Sequence, residues 1–432
     1  MTRALSTFAV LLIIFTFIAL PAAPAAQHPG VDAAVAKVAP QIIELRHQIH
    51  QNPELGNREV KTAELVANHL RALGFDDIRT GVAHTGVVGI LKGGRPGGVV
   101  AIRADMDALP VTEDTGYPFA SKLRAEYLGQ DVGVMHACGH DIHTAVQLGV
   151  ASVLASMRAE IPGTVKFIFQ PAEEGPPPGE EGGADLMVRE GVLADPRPTA
   201  IFGLHTFAQM EVGTLGYTPG PALAAVDHFT IRVIGQQSHG ASPHLGVDPV
   251  VMASQVVLAL QTIRSRNLPP LAPSVVTVGI VRGGTRFNII PNEVWLEGTV
   301  RSYDPDVRDA VERRMGEILA GITAAGGGSH ELVYDRGTPA TINDLALSDR
   351  MAPTLAKVVG KDRVKVIEPT MGGEDFAYFA NEVPGFFFRL GMVKPGTTSG
   401  DHHTPTFRAD DSAIPVGMRA MANLVLDYLG AR

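Results

Sequence analysis

Residues 136–143 read His-Ala-Cys-Gly-His-Asp-Ile-His and so combine one thiol with several imidazole groups. Thiolate and imidazole suit transition ions such as Zn²⁺ or Mn²⁺, whereas Ca²⁺ and Mg²⁺ prefer shells of oxygen atoms. Cys138 is the chain's single cysteine, so it forms no intramolecular disulfide. Taken alone, such a cysteine is more often a small core residue, and a lone histidine is more often a structural one. The metal interpretation therefore depends on candidate ligands elsewhere in the chain.

Polar side chains follow three apolar runs of the sequence. Asp105 and Asp107 follow the run VVAIRA, and the pair Glu173 and Glu174 comes two residues after VKFIFQ. His205 directly follows AIFGL. Because ligands in open α/β sheets bind outside the carboxyl ends of the strands, we expect these side chains to meet the cysteine and histidine stretch at one edge. Their co-occurrence favours a metal site over a structural role for each residue.

Apolar runs predict buried parallel strands, and helical periods fall between some of them. The runs lie at residues 87–91, 99–104, 165–170, 200–204 and 386–390. Apolar residues recur every three or four positions from Ile142 to Met157, which predicts a helix with Asp141 as its N-cap. Strands that alternate with helices are typical of an α/β fold with a mostly parallel sheet.

The order of elements changes between residues 224 and 336. The pattern there predicts strand, helix, strand, strand, helix and strand, which is the order of a ferredoxin-like α+β domain. Asp304 followed by Pro305 is a start signal for the second of these helices. We therefore predict a main α/β domain formed by residues 26–223 and 337–432, with residues 224–336 as an inserted domain.

The first residues of the chain predict a targeting segment. Arg3 precedes the uncharged apolar stretch 8–20, and residues 23–25 read Ala-Pro-Ala, a small-x-small cleavage site. We expect residues 1–25 to be a cleavable signal peptide and the mature protein to be secreted or periplasmic. An uncleaved membrane anchor is the alternative, but this apolar core is short for a membrane span. After cleavage we expect no stable association with a membrane.

Composition narrows the classes of function. The 432 residues are 45% apolar, which allows a large core in two or three domains. The chain has 45 acidic and 36 basic residues and a formal charge of -9, so nucleic acid is not an expected partner. An anionic small-molecule substrate stays possible in principle, because a bound divalent ion or one local arginine outweighs distant surface charge.

Motifs in a fixed order along the chain resemble those of a known family. They are HACGHDIHTA (136–145), QPAEEG (170–175), FGLH (202–205), SHGASPHLGVDPV (238–250), FNIIPN (287–292), GGEDF (372–376) and HHTPTF (402–407). In this order and spacing the chain resembles the metal-dependent aminoacylase/carboxypeptidase family. That family includes hippurate hydrolase, N-acyl-amino-acid amidohydrolases and the plant indole-acetyl-amino-acid hydrolases. The resemblance extends from about residue 38 to residue 430.

The resemblance implies a pair of divalent metal ions in each subunit, either Mn²⁺ or Zn²⁺. The ligands that it implies are Cys138, His140, Glu174, His205 and His403. His403 stands directly before Thr-Pro and fits the family's C-terminal histidine, and the neighbouring His402 is the alternative. How the two ions share these ligands is left open, because more distant members carry a ligand histidine at the position of Asp105.

The resemblance also implies the reacting groups and their supports. Glu173 matches the general base that takes a proton from the attacking water. Asp107 matches an aspartate that orients a metal ligand. Glu374 and Asp375 are expected to support the metal site from the neighbouring loop.

Substrate recognition is expected from the inserted domain, which the resemblance identifies as a lid and dimerisation domain. In the family, a histidine at the position of His239 reaches across a dimer interface and stabilises the oxyanion in the partner's site, which implies a homodimer. Asn288, with Arg286 or Arg301, matches the residues that hold the substrate carboxylate. Ordinary surface charge is the alternative reading of the two arginines.

These residues predict a metal-dependent amidohydrolase that cleaves the amide bond of N-acyl amino acids, such as hippurate-like conjugates. A small-substrate carboxypeptidase or a dipeptidase uses the same site, and motif spacing does not distinguish them. A cysteine hydrolase that uses Cys138 would resist chelators but not thiol alkylation. A non-catalytic solute-binding protein is the other alternative, although no base or ligand is missing from this sequence.

Overall fold

The computed structural model describes residues 28–430, and the predicted signal peptide of residues 1–25 lies outside this range. The helices of this range are α1 (Pro29–Gln51), α2 (Val60–Ala72), α3 (His140–Ser156), α4 (Gly183–Arg189), α5 (Pro249–Thr262), α6 (Pro305–Ala325), α7 (Leu345–Val359), α8 (Phe376–Glu382) and α9 (Ala413–Gly430). Over residues 28–430, no helix is both long and apolar enough to cross a membrane.

The strands belong to one large sheet, one four-stranded sheet and several short two-stranded ladders. In chain order they are β1 (Asp77–Val82), β2 (Gly86–Lys92), β3 (Arg95–Asp105), β4 (Arg124–Tyr127), β5 (Gln130–Gly133), β6 (Pro162–Gln170), β7 (Ile201–Glu211), β8 (Leu215–Tyr217), β9 (Gly220–Leu223), β10 (Ala225–Ile234), β11 (Ser238–His239), β12 (Ser274–Gly283), β13 (Ile289–Ile290), β14 (Glu293–Ser302), β15 (Ser329–Arg336), β16 (Thr341–Asn343), β17 (Val364–Val366) and β18 (Gly385–Val393).

The large sheet has the strand order β1-β2-β6-β3-β7-β18-β8-β17. Strands β6, β3, β7 and β18 run parallel to one another, and β17 runs parallel to β8, which confirms the predicted mostly parallel α/β fold. The prediction of a parallel strand at 87–91 is wrong, because β2 runs antiparallel to both β1 and β6. A connection of only residues 83–85 joins β1 to β2, and such a short turn requires antiparallel strands.

Strand β6 illustrates why the apolar runs are continuous. Phe167 and Phe169 join a core formed with α1, α2, α3, α7 and α9, whereas Ile168 faces a second core formed with α4 and α8. Because helices cover both faces of the sheet, successive residues of one strand are buried on opposite sides. Helix α3 is likewise buried along most of its length, as its lack of a polar face requires.

The start of α3 differs from the prediction. Gly139 is the N-cap, with a φ of 91°, and a Cβ atom there would lie 2.3 Å from the Thr206 hydroxyl, so the position requires glycine. The predicted cap, Asp141, uses its carboxylate in the protein interior instead. It accepts a hydrogen bond from Arg46 Nε at 2.7 Å and lies 2.8 Å from His50 Nδ1. These contacts fasten the first turn of α3 to α1.

The four-stranded antiparallel sheet has the strand order β12-β14-β10-β15, and α5 and α6 pack on it. Along the chain its elements are β10, α5, β12, β14, α6 and β15, which is the ferredoxin-like order expected from the sequence. Asp304 caps α6 by accepting a hydrogen bond from the Asp306 N–H, and Pro305 begins the helix as predicted. The boundaries of the inserted domain, 224–336, and of the two parts of the main domain stay predictions.

Backbone hydrogen bonds join the four-stranded sheet to the larger part of the chain. The Ala224 N–H donates to the Gly372 carbonyl at 2.9 Å, and the Val226 N–H donates to the Thr338 carbonyl at 2.9 Å. The first bond connects the start of β10 to the loop that carries Glu374. The position of the smaller sheet is therefore coupled to a loop of the candidate site.

Candidate metal centre

Asp107 orients His140 at the carboxyl edge of the large sheet. Asp107 Oδ1 lies 3.1 Å from His140 Nδ1, and Asp107 Oδ2 accepts a hydrogen bond from the Glu174 N–H at 2.9 Å. With Nδ1 donating to a carboxylate, Nε2 carries the free lone pair of His140. Within the described residues, Nε2 is buried without a hydrogen-bond partner, 3.8 Å from Glu173 Oε2 and 3.9 Å from Glu174 Oε1.

Cys138 and His205 face each other beside that nitrogen. Cys138 Sγ lies 3.4 Å from His205 Nε2, and His205 Nδ1 donates to the Thr206 carbonyl at 2.7 Å. Burial, followed by the charges of His143 and other cations, lowers the pKa of His205 well below its usual value, so the ring stays neutral as a metal ligand must. Burial and then Glu174 raise the pKa of the Cys138 thiol, so a nearby cation is needed to hold the thiolate form.

His403 and His402 have different partners. His403 Nε2 lies 3.0 Å from Glu174 Oε1, and the His403 backbone has a φ of 64°. His402 Nε2 accepts a hydrogen bond from the Ala208 N–H at 3.2 Å, and its Nδ1 lies 3.6 Å from Cys138 Sγ. One nitrogen of His402 is thus used by the backbone, while His403 forms a potential ligand group with Cys138 and Glu174.

The donor atoms form overlapping groups in which all atoms lie within 4.8 Å of one another. One group is Cys138, His140 and His205, and another is Cys138, Glu174 and His403. A thiol, imidazoles and a carboxylate fit a pair of neighbouring transition ions, and the unpartnered Nε2 of His140 is the kind of atom that such an ion would satisfy. The structure therefore brings all five predicted ligands together, and their individual assignment stays a prediction.

The predicted base Glu173 lies in the same cluster. Glu173 groups with Glu374 and Asp375, and burial and then Glu374 raise the pKa of Glu173 well above its usual value. Arg103 Nη2 lies 2.9 Å from Glu374 Oε1 and 3.0 Å from Asp375 Oδ1. The two acidic residues expected to support the site are therefore ion-paired with an arginine that the sequence analysis missed.

Asp105 is engaged by protein groups on both oxygens. Asp105 Oδ2 accepts a hydrogen bond from Arg103 Nη1 at 2.8 Å, and Oδ1 lies 2.6 Å from His143 Nδ1. His143 Nε2 accepts a hydrogen bond from the Thr206 N–H at 2.8 Å, so both of its ring nitrogens are used. Both oxygens of Asp105 and both ring nitrogens of His143 are thus used by protein groups, so these two residues support the neighbouring metal site. The available signal for Arg103 was a single arginine inside the otherwise apolar run 99–104.

Within residues 28–430, none of the predicted recognition residues of the inserted domain forms a hydrogen bond or an ion pair with the predicted metal ligands. His239 is exposed on β11, and the neighbouring Gly240 N–H donates to the Asn288 carbonyl at 2.8 Å. The Asn288 side-chain oxygen is buried and has no hydrogen-bond partner within residues 28–430. Arg286 is exposed, whereas Arg301 is half-buried against the loop at Gly373.

A cavity of about 140 Å³ lies beside the ligands. Asp107 and Glu174 line one side, and Leu55, Leu109 and Tyr127 contribute apolar surface. A concave apolar site next to a few convergent polar groups is the usual form of a small-molecule site. The cavity, lined by both apolar and charged side chains, is therefore a candidate small-molecule site.

The fold and this cluster define a dinuclear metal-dependent hydrolase built on an α/β sheet. The chain belongs to peptidase family M20/M25/M40, whose family model matches residues 101–427. It is 42% identical over 309 residues to an N-acyl-L-amino acid amidohydrolase of Geobacillus stearothermophilus, covering 72% of this chain and 80% of that protein. It is 36% identical to thermostable carboxypeptidase 2 of Saccharolobus solfataricus, covering 91% of this chain and 97% of that protein.

A solved structure agrees with the metal centre. A dinuclear metal-binding peptidase of the M20 family from Bacillus subtilis superimposes with a TM-score of 0.77 at 34% sequence identity. The match covers 92% of this chain and 100% of that chain. Enzyme class, fold and a dinuclear metal cofactor thus agree between sequence, geometry and relatives.

The two adjacent histidines provide a test of the ligand assignment. We expect His403→Ala to lose about one of roughly two bound ions per chain, because it removes a donor from the group with Cys138 and Glu174. His402→Ala should keep both ions, because Nε2 of His402 already accepts a hydrogen bond from a backbone N–H and, within the described residues, His402 belongs to none of the potential ligand groups. Both variants are dialysed at a fixed concentration of free Mn²⁺ or Zn²⁺. Inductively coupled plasma mass spectrometry then measures the metal content per chain. Equal loss in both variants would contradict this assignment.

Proposed function

We propose that the protein hydrolyses the amide bond of N-acyl amino acids. The proposal is carried by one observation: the Glu173 carboxylate, whose side chain is 9% exposed, lies 3.8 Å from the unpartnered Nε2 of His140. A proton acceptor next to a cluster of metal-ligand atoms is the arrangement that hydrolysis by an activated water requires. The amidohydrolase relative at 42% identity supports the substrate class.

A pair of divalent ions held by the five ligands would lower the pKa of a water molecule and polarise the amide carbonyl. Glu173 takes the proton of the attacking water on its carboxylate and passes it to the leaving nitrogen. Its raised pKa, caused by burial and Glu374, suits a group that must hold this proton between the two steps. Asp107 keeps His140 oriented during both steps, because its carboxylate bonds Nδ1 and leaves Nε2 facing the metal site.

A carboxypeptidase activity is the second candidate, supported by the name of the relative from Saccharolobus solfataricus. Both activities would use the same base and ligands, and they differ in the group that occupies the apolar cavity. A cysteine hydrolase is disfavoured because burial and Glu174 raise the pKa of Cys138, which opposes formation of a free thiolate nucleophile. A solute-binding protein would not need the buried base.

We expect Glu173→Gln to retain its metal and its fold but to lose about 10² to 10⁴ in kcat, the usual contribution of a general base. The measurement is hydrolysis of a panel of N-acetyl, N-benzoyl and indole-acetyl amino acids and of dipeptides. In the wild type, chelation should abolish turnover and Mn²⁺ or Zn²⁺ should restore it. Preference for dipeptides over all N-acyl amino acids would favour the carboxypeptidase candidate.

Glu181→Gln is the matched control, since Glu181 is an exposed carboxylate in the same loop, close to Glu173 in sequence. It should leave kcat and metal content unchanged. Full activity of Glu173→Gln would show that Glu173 is not the general base. Loss of metal from that variant would instead identify Glu173 as a ligand.

We propose further that the protein acts as a homodimer through the four-stranded sheet of the predicted inserted domain, called the inserted sheet below. β12 is an edge strand of that sheet, and apolar side chains are exposed on it and on α5. They include Val250, Val251 and Leu258 of α5 and Val281 of β12. An exposed strand edge with a contiguous apolar surface favours association. The exposed His239, which lacks contacts with the ligands of its own chain, is expected to act in the partner's site.

We expect Val281→Lys to convert the dimer to monomers, because it would bury a charge in the interface. The monomers should keep their metal but lose most turnover, since His239 would have no partner site. Light scattering coupled to size-exclusion chromatography measures the mass. Val333→Lys on β15, at the other edge of the sheet and similarly exposed (61% against 62%), is the control and should stay dimeric. A fully active monomer would refute the action of His239 across the interface.

We propose export of the protein, on the basis of its first 25 residues. Arg3, the uncharged stretch 8–20 and the Ala-Pro-Ala site support cleavage near Ala26. Intact mass spectrometry of the protein recovered from the periplasm or medium of the producing cell should give a mature chain that begins near Ala26. Recovery only from the cytoplasm with Met1 retained would contradict export.

A further inference from the structure

Arg389 is a charged residue in the middle of the apolar strand β18. It is half-buried, and within residues 28–430 its guanidinium group forms neither a hydrogen bond nor an ion pair. Its neighbours are the rings of Phe207 and Phe387, whose centroids lie 5.5 Å and 5.4 Å from the guanidinium carbon. The aromatic faces hold the side chain in place and leave its N–H donors unused.

Other buried arginines of this protein are bonded to carboxylates. Arg46 binds Asp141 at 2.7 Å, and Arg103 binds Asp105 at 2.8 Å. A guanidinium group withdrawn from water costs free energy unless acceptors replace the water. Unlike these fully buried arginines, Arg389 is half-buried and has no carboxylate partner within residues 28–430, so its donors are available to an acceptor from outside the chain.

The sheet register directs Arg389 toward the metal centre. Arg389 pairs with His205 across the parallel strands β18 and β7. Paired residues of neighbouring strands project to the same face of a sheet and stand roughly 5 Å apart. Arg389 therefore lies on the face that carries a predicted metal ligand, and its charge contributes to the lowered pKa of both His205 and His402.

The acidic groups of the site do not serve as the missing acceptor. Glu374 Oε1 is 2.9 Å from Arg103 Nη2 and also accepts a hydrogen bond from the Phe376 N–H at 2.9 Å. Asp375 is bonded to Arg103 and to Gln170. Asp375 is thus satisfied by other donors, and Glu374, whose Oε2 is buried without a hydrogen-bond partner within residues 28–430, forms no ion pair with Arg389 either.

We infer that Arg389 binds a carboxylate group of the substrate. The planar guanidinium fork matches a carboxylate with two parallel hydrogen bonds, and the two rings fix its orientation. This inference rests on the proposed function, in which the substrate carries a carboxylate next to the scissile amide. It adds a substrate contact on the large sheet to those predicted in the inserted domain for Asn288 and for Arg286 or Arg301.

Binding without turnover is the test, carried out in Mn²⁺-loaded protein with the Glu173→Gln substitution. The probes are N-benzoylglycine, with its carboxylate on the amino-acid side, N-succinylglycinamide, with its carboxylate on the acyl side, and N-benzoylglycinamide, with none. Adding Arg389→Met should weaken one carboxylate probe by about 10- to 100-fold, the loss expected for hydrogen bonds to a charged group. Binding of N-benzoylglycinamide should not change. The weakened probe identifies the part of the substrate that Arg389 contacts.

Two variants serve as controls, and calorimetric titration measures all dissociation constants. Arg389→Lys keeps the charge without the fork and should give an intermediate loss for the same probe, which also covers the case that Arg389→Met fails to fold. Arg350→Met removes another arginine that lies over an aromatic ring, at 4.4 Å from the Tyr428 centroid on α9, and should have no effect. Metal content is measured for each variant.

Equal weakening of all three probes, or unchanged binding of both carboxylate probes, would overturn the inference. The proposed function fails separately, if wild-type protein with its metal turns over no N-acyl amino acid. Carboxylate binding that depends on Arg389 in an enzyme without that activity would uphold the inference and refute the proposed function. Turnover of N-acyl amino acids by an enzyme whose carboxylate binding does not depend on Arg389 would uphold the proposed function and refute the inference.

Discussion

Arg103 is the cation on which the acidic side of the metal centre depends. Its guanidinium group contacts Asp105, Glu374 and Asp375, which come from two distant segments of the chain. Burial alone would lower the pKa of Arg103, but these carboxylates raise it above the usual value, so the positive charge is permanent. Buried carboxylates cost several kcal/mol each unless a cation offsets them. One arginine cannot offset the whole cluster, and the remaining acidic groups are those that divalent ions would neutralise.

A second arginine holds the ligand-bearing segments in register. Arg46 donates to Asp141 in the first turn of α3, next to His140, and also to Asp411 at 3.0 Å, shortly after His403. Two segments that carry predicted ligands and are far apart in sequence are thus held by one side chain of α1. Metal geometry tolerates little displacement of its ligands, so this contact supports the predicted centre from outside its ligand set. The predicted ligands thus meet at the edge of the sheet, and the ion pairs of Arg46 and Arg103 hold the segments that carry them.

The sequence predicted correctly those features of the fold that depend on residues close together in the chain. Continuous apolar runs identified the central strands because both sheet faces are buried, and Asp304 with Pro305 correctly predicted the start of α6. The prediction of Asp141 as a helix cap failed because its carboxylate is used by Arg46, 95 positions away. Likewise Arg103 and Asp375 are 272 positions apart, and spacing cannot reveal such a pair. The sequence leaves the choice between His402 and His403 open, since the two are chemically identical and only their contacts in the folded chain differ.

The predicted roles in chemistry and in recognition fall to different parts of the chain. The predicted proton acceptor and metal ligands meet at the carboxyl edge of the large sheet, while His239 and Asn288 lie in the predicted inserted domain, outside its four-stranded sheet. The Ala224 N–H bonds the Gly372 carbonyl and so connects the start of the four-stranded sheet to the loop that carries Glu374, a neighbour of Glu173. Arg389 lies instead on the large sheet, beside His205. A substrate carboxylate held there would lie beside a predicted metal ligand, so the large sheet and the predicted inserted domain can recognise different parts of one molecule.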